Sequence, residues 1–351
     1  MKKRTILLIV FVVGLLYVIL SLLFVQPKLV EGNYLKLNKT YSHHENDVWE
    51  VKFAPNDTLM ISGGIDPNTK IWNRITGEVI YNLPHETGSP SVDFAPSGRL
   101  VVTGAYDGKV RLWDVSSGEL LDVLEGNDGT IWTVDFSPNG KLIAAGSNDD
   151  KVTIWNVESG EIVYEFNEAK HNIWEVVFNP TGELLAASGS DNAIRIYDIA
   201  TGNLIQIIRG HSMVPLAMDF SPNGKLLASA GDDKTIKIWD TNNWKLLHTL
   251  VGDNEAIHSV VFVGNDKVLA GGTDKNILGE LLEYHLKFKG FVKPIVATLW
   301  DVKKEKILQT ISGHTDDIGL GMDISSDGKF IATPSKDKTV KVWNVNSLNK
   351  W

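Results

Sequence analysis

Short apolar segments separated by polar turns make up the chain after residue 31. Segments such as 130–136, 141–145 and 152–155 are rich in Val, Ile, Leu and Phe. Segments of this length are typical of β-strands and too short for helices. The turns between them carry the residues that reverse a chain, as in Ser137-Pro138-Asn139-Gly140. The pattern predicts an all-β fold of antiparallel strands joined by hairpins.

One short ending recurs seven times along this region. It consists of an apolar residue, an aromatic residue and Asn or Asp, and the aromatic positions are separated by 41, 42, 42, 42, 61 and 43 residues. An Asp stands six residues before six of the seven aromatics. The endings are Ile71-Trp72-Asn73, Leu112-Trp113-Asp114, Ile154-Trp155-Asn156, Ile196-Tyr197-Asp198, Ile238-Trp239-Asp240, Leu299-Trp300-Asp301 and Val342-Trp343-Asn344. Such a period indicates a repeat architecture in which each unit is a small sheet packed against its neighbours.

These repeats resemble the WD40 family over residues 32–351. Six units keep the Trp, three keep the Trp-Asp pair, and the turn Asp recurs at the family's spacing. The departures are Tyr197 in place of one Trp and a sixth unit interrupted by an insertion at about residues 276–293. The resemblance implies a seven-bladed β-propeller of four-stranded antiparallel blades. It also implies a scaffold for protein complexes, since that is what most relatives are.

The last repeat lacks a fourth strand of its own, because the chain ends eight residues after Trp343. Residues 32–41 occupy the place that an outer strand holds before a complete unit. We therefore expect residues 32–41 to pair as the outer strand of the last blade. This pairing would close the ring and remove two free sheet edges.

The first 31 residues have a different character from the repeats. Lys2-Lys3-Arg4 precedes residues 6–25, which carry no charge and as a helix would span ~30 Å, the thickness of a bilayer core. This pattern predicts a transmembrane signal anchor with a short linker, the alternative being a signal peptide that is removed. The basic residues predict a cytoplasmic N-terminus and an extracytoplasmic propeller. The closing strand should begin, next to the anchor, on the face opposite the one that family members use for binding. We therefore expect that opposite face to lie near the bilayer.

Composition narrows the possible functions further. The formal net charge is −9, which argues against nucleic acid as a partner because phosphate binding needs a basic surface. The chain has no cysteine, so disulfides, thiol catalysis and Cys-ligated metals are excluded. His43 and His44 are adjacent and should point apart, and the Asp-rich turns lack the spacing of calcium loops. We expect no metal and no cofactor.

A histidine, a hydroxyl residue and an aspartate recur together, which on first reading suggests a catalytic triad. The set returns in several units, whereas a catalytic site is needed once. In WD40 proteins the same positions resemble a structural tetrad completed by the Trp. The tetrads expected in the fifth and seventh units are His211, Ser229, Asp233 and Trp239, and His314, Thr333, Asp337 and Trp343. His44/Ser62/Asp66/Trp72 and His85/Thr103/Asp107/Trp113 have the same spacing. We therefore expect no catalytic residues among them.

Two features exceed what the repeat requires. Trp49, Trp132 and Trp174 occupy one place at the start of the first strand in units one, three and four, and His258 takes it in unit six. The family resemblance implies that this strand lines the central channel and begins at the usual binding face, called the top face below. These residues, with the neighbouring Glu50 and Glu175, are candidates for partner binding. The alternative is that the rings pack only between blades.

The insertion at residues 276–293 is the second feature. By family topology it opens on the top face, and long apolar excursions from a compact scaffold are more often functional than idle. Its aromatic residues Tyr284, Phe288 and Phe291 are therefore further candidates for partner binding. The alternative is a plug that covers the channel mouth.

The sequence thus predicts a membrane-anchored, non-catalytic scaffold that binds a protein or peptide on the top face. One alternative is a hydrolase or lyase acting in the channel, for which Glu50, Glu175 and His258 are the candidate groups. Another is a glycan-binding module, since stacked aromatics suit sugar faces.

Overall fold

A computed structural model describes residues 30–252, 256–273 and 295–346. All regular elements in these three ranges are β-strands, which confirms the predicted all-β class. No helix in the same ranges is long and apolar enough to cross a membrane. The predicted transmembrane segment 6–25 and the insertion 276–293, with Tyr284, Phe288 and Phe291, lie outside the described residues.

The strands form seven four-stranded antiparallel sheets, as expected for a seven-bladed propeller. Each of the first six blades uses four consecutive strands, counted from the channel outward. In chain order the strands are β1 (Leu35–Tyr41), β2 (Val48–Phe53), β3 (Leu59–Gly64), β4 (Asn68–Asn73), β5 (Val79–Pro84), β6 (Ser91–Phe94), β7 (Leu100–Gly104), β8 (Val110–Asp114), β9 (Leu120–Leu124), β10 (Ile131–Phe136), β11 (Leu142–Ser147), β12 (Val152–Asn156), β13 (Ile162–Phe166), β14 (Ile173–Phe178), β15 (Leu184–Gly189), β16 (Ala193–Asp198), β17 (Asn203–Arg209), β18 (Pro215–Phe220), β19 (Leu226–Gly231), β20 (Thr235–Asp240), β21 (Leu246–Val251), β22 (Ala256–Phe262), β23 (Lys267–Thr273), β24 (Ile295–Asp301), β25 (Lys306–Ser312), β26 (Asp323–Ile324), β27 (Phe330–Pro334) and β28 (Val340–Val345).

The seventh blade is assembled from both ends of the described chain. Its order is β1-β28-β27-β26, and β1 runs antiparallel to β28 with Leu37 opposite Trp343. This is the ring closure expected from the sequence. The inner strand β26 has only two residues, and the segment before it is joined to the first blade through a parallel bridge between Gly321 and Glu50.

The residues before β1 do not leave directly from the start of that strand. Val30 and Thr310 exchange hydrogen bonds, so the chain first runs beside β25 of the sixth blade. The Gln309 side chain then accepts the N–H groups of Tyr34 and Leu35 and donates to the Leu35 carbonyl. The described residues before β1 therefore lie along the outer strand of the sixth blade.

The hydrophobic core lies between blades rather than within one centre. In a typical cluster Val102 and Val110 of the second blade pack with Val134 and Phe136 of the third. The middle strands are buried on both faces, whereas outer strands such as β17 alternate between exposed and more buried residues. The recurring aromatics are part of this core, and Trp72 and Trp155 are fully buried. Each sheet is thus stabilised mainly by its two neighbours.

Candidate binding surface at the top of the channel

The top-face residues predicted to bind a partner share a local backbone irregularity. In β2, Val48 is opposite Gly64 and Glu50 is opposite Gly63, which leaves Trp49 as the extra residue of a β-bulge. The same shift occurs at the equivalent place in four other inner strands. The extra residues there are Trp132, Trp174, Leu216 and His258. A bulge removes one residue from the ladder and re-aims its side chain, a device common near binding sites.

Three aromatic residues on consecutive blades form a continuous arc on this face. The ring centroids of Trp132 and Trp174 are 5.1 Å apart, and the ring of Tyr106 lies edge-on to Trp132 at 5.9 Å. All three side chains are partly exposed. Burial raises the pKa of Tyr106 to about 12, an effect that the neighbouring Trp49 indole opposes. The sequence analysis missed Tyr106 because it stands in a turn and has no equivalent in the other repeats.

Trp49 lies next to Tyr106 at one end of the arc, and Trp49 and His258 both lie near charged groups. The Lys336 ammonium is 5.4 Å from the centre of the Trp49 ring and 3.1 Å from the Asp317 carboxylate. Burial lowers the pKa of His258, and the charge of Lys336 lowers it further. The top surface therefore combines an aromatic arc on blades two to four with a charged region near blades six and seven.

Below the bulges, side chains from one blade bond to the inner strand of the next. Glu50 accepts the Val92 N–H at 2.9 Å, Ser91 accepts the Val134 N–H at 2.9 Å, and Thr133 accepts the Val176 N–H at 3.1 Å. The inner strand is the free edge of its sheet, so its N–H groups need acceptors from elsewhere. Glu50 thus has a structural role, and its other oxygen lies 3.5 Å from the Lys52 ammonium.

A second tier of carboxylates lies two residues further along the inner strands. Asp93, Asp135, Asp219 and Asp323 each accept the backbone N–H of an aromatic residue on the following blade. The sequence analysis did not select these residues, although Asp-Phe recurs at Asp93-Phe94, Asp135-Phe136 and Asp219-Phe220.

The carboxylates of this tier are crowded and poorly hydrated. Burial raises the pKa of Asp93 to about 6 and the pKa values of Asp219 and Asp323 to about 7. Lys52 stands at the position that Asp occupies in four of the other six inner strands, and its charge opposes the rise in pKa of Asp93, Asp219 and Asp323. Burial lowers the pKa of Lys52, but Glu50 and the surrounding aspartates outweigh that effect and raise it well above its ordinary value.

The expected polar tetrads are present in the first, fifth and seventh blades. His211 Nδ1 lies 2.9 Å from Asp233 and its Nε2 lies 2.7 Å from the Ser229 hydroxyl, which also accepts the Trp239 indole N–H at 2.8 Å. The equivalent contacts involve His44, Asp66, Ser62 and Trp72, and His314, Asp337, Thr333 and Trp343. A neutral histidine protonated at Nδ1 gives every donor in this chain an acceptor. These side chains therefore bind one another and stabilise the blades. The contacts give no support to the interpretation as a catalytic triad.

The second blade has the tetrad spacing but does not form the tetrad contacts. Arg111 makes a double hydrogen bond to Asp107, at 3.1 and 2.6 Å, so His85 does not reach that carboxylate. The buried Nε2 of His85 has no partner among the described residues. Burial lowers the pKa of His85 to about 4, helped by the charge of Arg111. The expected set His85/Thr103/Asp107/Trp113 is thus incomplete, although Trp113 still donates to Thr103 at 2.9 Å.

The fold and this surface define a β-propeller whose central channel opens between aromatic and charged residues. Residues 35–73 and 305–344 each match the WD domain, G-beta repeat, and residues 90–249 match the second β-propeller of the echinoderm microtubule-associated protein family. The chain therefore carries WD40 repeats in a seven-bladed β-propeller, as its repeat pattern indicated. Propellers of this family generally bind protein partners and are generally non-catalytic scaffolds.

Proposed function

We propose that this protein is a membrane-anchored propeller that binds a protein or peptide on its top face and has no catalytic activity of its own. The observation that carries the proposal is the set of β-bulges, three of which present a tryptophan at the channel mouth. Tryptophan is enriched at interface hot spots because it buries a large area and keeps a hydrogen-bond donor. Two of the three, Trp132 and Trp174, stand in mutual contact.

The setting of the titratable groups favours binding over catalysis. Glu50 accepts the Val92 N–H and is paired with Lys52. Each tetrad histidine is hydrogen-bonded to a carboxylate and to a hydroxyl, as in the contacts of His44. Among the described residues there is no group of three or more His, Asp or Glu side chains that could hold a metal ion. A hydrolase or lyase would need a free acid–base pair at the channel mouth.

The membrane part of the proposal rests on the N-terminal sequence. Residues 6–25 carry no charge and follow Lys2-Lys3-Arg4, which favours a signal anchor with the propeller outside the cytoplasm. A topology reporter fused after Trp351 tests this assignment. We expect activity only from a reporter that works outside the cytoplasm, and cytoplasmic reporter activity would contradict the localisation.

The platform is tested by crosslinking in intact cells with the full-length chain as bait. We expect captured protein to be lost in a Trp132→Ala/Trp174→Ala double variant. The control is Trp244→Ala, since Trp244 is also partly exposed but lies in the turn between β20 and β21, at the opposite end of a blade. Unchanged capture by the double variant, with its folding verified by circular dichroism, would refute the proposed surface.

A further inference from the structure

The paired tryptophans of the arc are held in a defined arrangement. Trp132 and Trp174 are inclined at 35° to each other, and the Trp174 indole N–H donates to the Ser190 hydroxyl at 2.8 Å. The buried indole nitrogen of Trp132 has no acceptor among the described residues. The two rings therefore form a fixed aromatic wall.

A carboxyl group without a cationic partner stands beside this wall. Glu175 follows Trp174 in β14, and its Oε1 lies 3.3 Å from the hydroxyl of Thr133, the residue after Trp132. Glu50, at the equivalent place in the first blade, caps the Val92 N–H and is paired with Lys52. Within the described ranges, Glu175 has neither a backbone N–H donor nor an ion pair of this kind. Its carboxyl group is thus not committed to a cation of the described chain.

The charges facing Glu175 make the site attractive to a cation. Glu50 and Asp135 add negative charge from neighbouring inner strands, and Lys52, the nearby cation, is already paired with Glu50. The described inner strands also carry Asp93, Asp219 and Asp323 at partly buried positions. Fields from such groups act strongly in a channel with low-dielectric walls.

The protein itself contains the same kind of contact at another point of the top face. Lys336 lies over the Trp49 ring and is paired with Asp317. A cation over an aromatic face and next to a carboxylate is stabilised by both groups. Trp132, Trp174 and Glu175 supply the same two components, and no described lysine or arginine lies over either ring.

We propose that Trp132, Trp174 and Glu175 form a subsite for a cationic side chain, Lys or Arg, projecting from the protein or peptide partner. The inference rests on the proposed function, which it narrows to partners with an exposed basic residue. An acidic peptide would be repelled by the carboxyl groups of the inner strands. A glycan would use the rings but would gain nothing from a positive charge.

Binding should depend on pH in a direction that follows from the surroundings of Glu175. Burial raises the pKa of Glu175 well above its ordinary value, and the charge of Glu50 raises it further, whereas Lys52 and the Thr133 hydroxyl oppose the shift and Asp135 adds to it. A bound cation favours the ionised carboxylate, so binding releases a proton. Affinity is therefore expected to increase as the pH rises above the ordinary titration range of a glutamate carboxyl group.

The experiment uses the purified full-length chain and two short peptides. One carries a single arginine between glycines, and the other carries citrulline, which has a similar shape and no charge. Tryptophan fluorescence is titrated with each peptide. We expect saturable quenching by the arginine peptide, with an affinity about tenfold or more above that of the citrulline peptide. This comparison needs no variant, so a folding defect cannot obscure it.

A matched pair of substitutions then locates the subsite. Glu175→Gln should reduce arginine binding to the citrulline level and remove its pH dependence. Glu183→Gln makes the same charge change in the same blade, in the exposed turn between β14 and β15, and should leave binding unchanged. Equal binding of the two peptides, or full arginine binding by Glu175→Gln, would overturn the subsite. So would quenching by a chitin trisaccharide with no response to arginine.

Failure of this inference and failure of the proposed function give different results. If Glu175→Gln still captures the cellular partner and the tryptophan double variant does not, the platform stands and the cationic subsite is wrong. If the arginine peptide binds as expected and the tryptophan variant still captures the partner, the subsite stands and the platform is wrong.

Discussion

Asp219, on the inner strand of the fifth blade, accepts the backbone N–H of Phe262 on the sixth blade at 2.6 Å. The same relationship joins Asp93 to Phe136 across the second and third blades. Valine occupies the equivalent positions 177 and 261. Neighbouring blades are thus joined at the channel by side-chain acceptors that satisfy the free edge of the inner strands.

Replacing Asp219 with Asn should change how stability depends on pH. The pKa of Asp219 is raised to about 7 by burial, so between an ordinary Asp pKa and 7 the folded state binds more protons than the unfolded state. Its contribution to the free energy of unfolding therefore falls as pH rises through this window, by up to about 1.4 kcal/mol per unit. Asn keeps an acceptor for Phe262 but does not titrate. We expect Asp219→Asn to gain stability over the natural chain as pH rises from about 4 to about 7 in denaturant titrations.

The control for this prediction is Asp128→Asn, which alters an exposed aspartate on the top-face loop before β10. The difference between this variant and the natural chain should stay small across the same pH range. A constant difference between Asp219→Asn and the natural chain would show that Asp219 titrates normally.

The closing strand should depend on one glutamine. Gln309 is buried and makes three hydrogen bonds to the backbone of Tyr34 and Leu35. Gln309→Ala leaves these backbone groups without their partner, at a cost of about 1–3 kcal/mol. We expect faster amide hydrogen exchange in β1 and β28, with blades two to four unaffected. Gln206→Ala, on the outer strand of the fourth blade, should not change exchange in β1.

Ser229 should matter more than another buried serine nearby. Its hydroxyl links His211 to Trp239, so Ser229→Ala leaves two buried nitrogen atoms without a partner. We expect a loss of about 1–3 kcal/mol in the free energy of unfolding. Ser188 is equally buried, but its hydroxyl has no partner within the described part of the chain. Ser188→Ala should therefore cost little, and an equal loss for both variants would argue against the hydrogen-bonded chain as the cause.

Exchanging Arg111 for Lys should complete the tetrad of the second blade. Lys70, Lys237 and Lys341 stand at the equivalent position in the three blades with intact tetrads. A lysine cannot form the planar double hydrogen bond by which Arg111 holds Asp107. His85 should then reach Asp107, and its pKa should rise from about 4, as measured by nuclear magnetic resonance titration of the imidazole.

Arg195→Lys is the control for that exchange. Arg195 pairs with Asp191 in the same way, but Ala169 stands at the place of the tetrad histidine in the fourth blade. No histidine should change its pKa in this variant. An unchanged pKa of His85 in Arg111→Lys would show that the arginine is not what separates His85 from Asp107.

Much of the fold follows from features that repeat along the chain. The regular spacing of Trp72, Trp113 and Trp155 indicates one sheet per repeat, and these rings are buried between sheets as that interpretation requires. Arg111 and Arg195 stand where the units with intact tetrads have lysine, and this difference is visible in the sequence. A guanidinium group forms a double hydrogen bond to the turn aspartate, which a histidine then cannot bind in the same way.

The top surface was only partly predictable. The equivalent places of Trp49, Trp132 and Trp174 follow from sequence alignment of the repeats, but their partners do not. Trp132 contacts Trp174 and Tyr106, whereas Trp49 lies under Lys336. These contacts between blades join residues far apart in the chain, 26 positions for Tyr106 and Trp132 and 42 positions for Trp132 and Trp174, and no local pattern specifies them.

The sequence by itself determined the number of blades, the positions of the recurring core aromatics and the strand that closes the ring, because each of these depends on a pattern of period about 42. Only the tertiary structure decided which charged groups act on one another at the channel. Asp93, Asp219 and Asp323 come from three different blades, yet the charge of Lys52 in the first blade opposes the rise in pKa of all three. The physical reason is that charges interact with groups close in space, and in this ring those groups come from different blades.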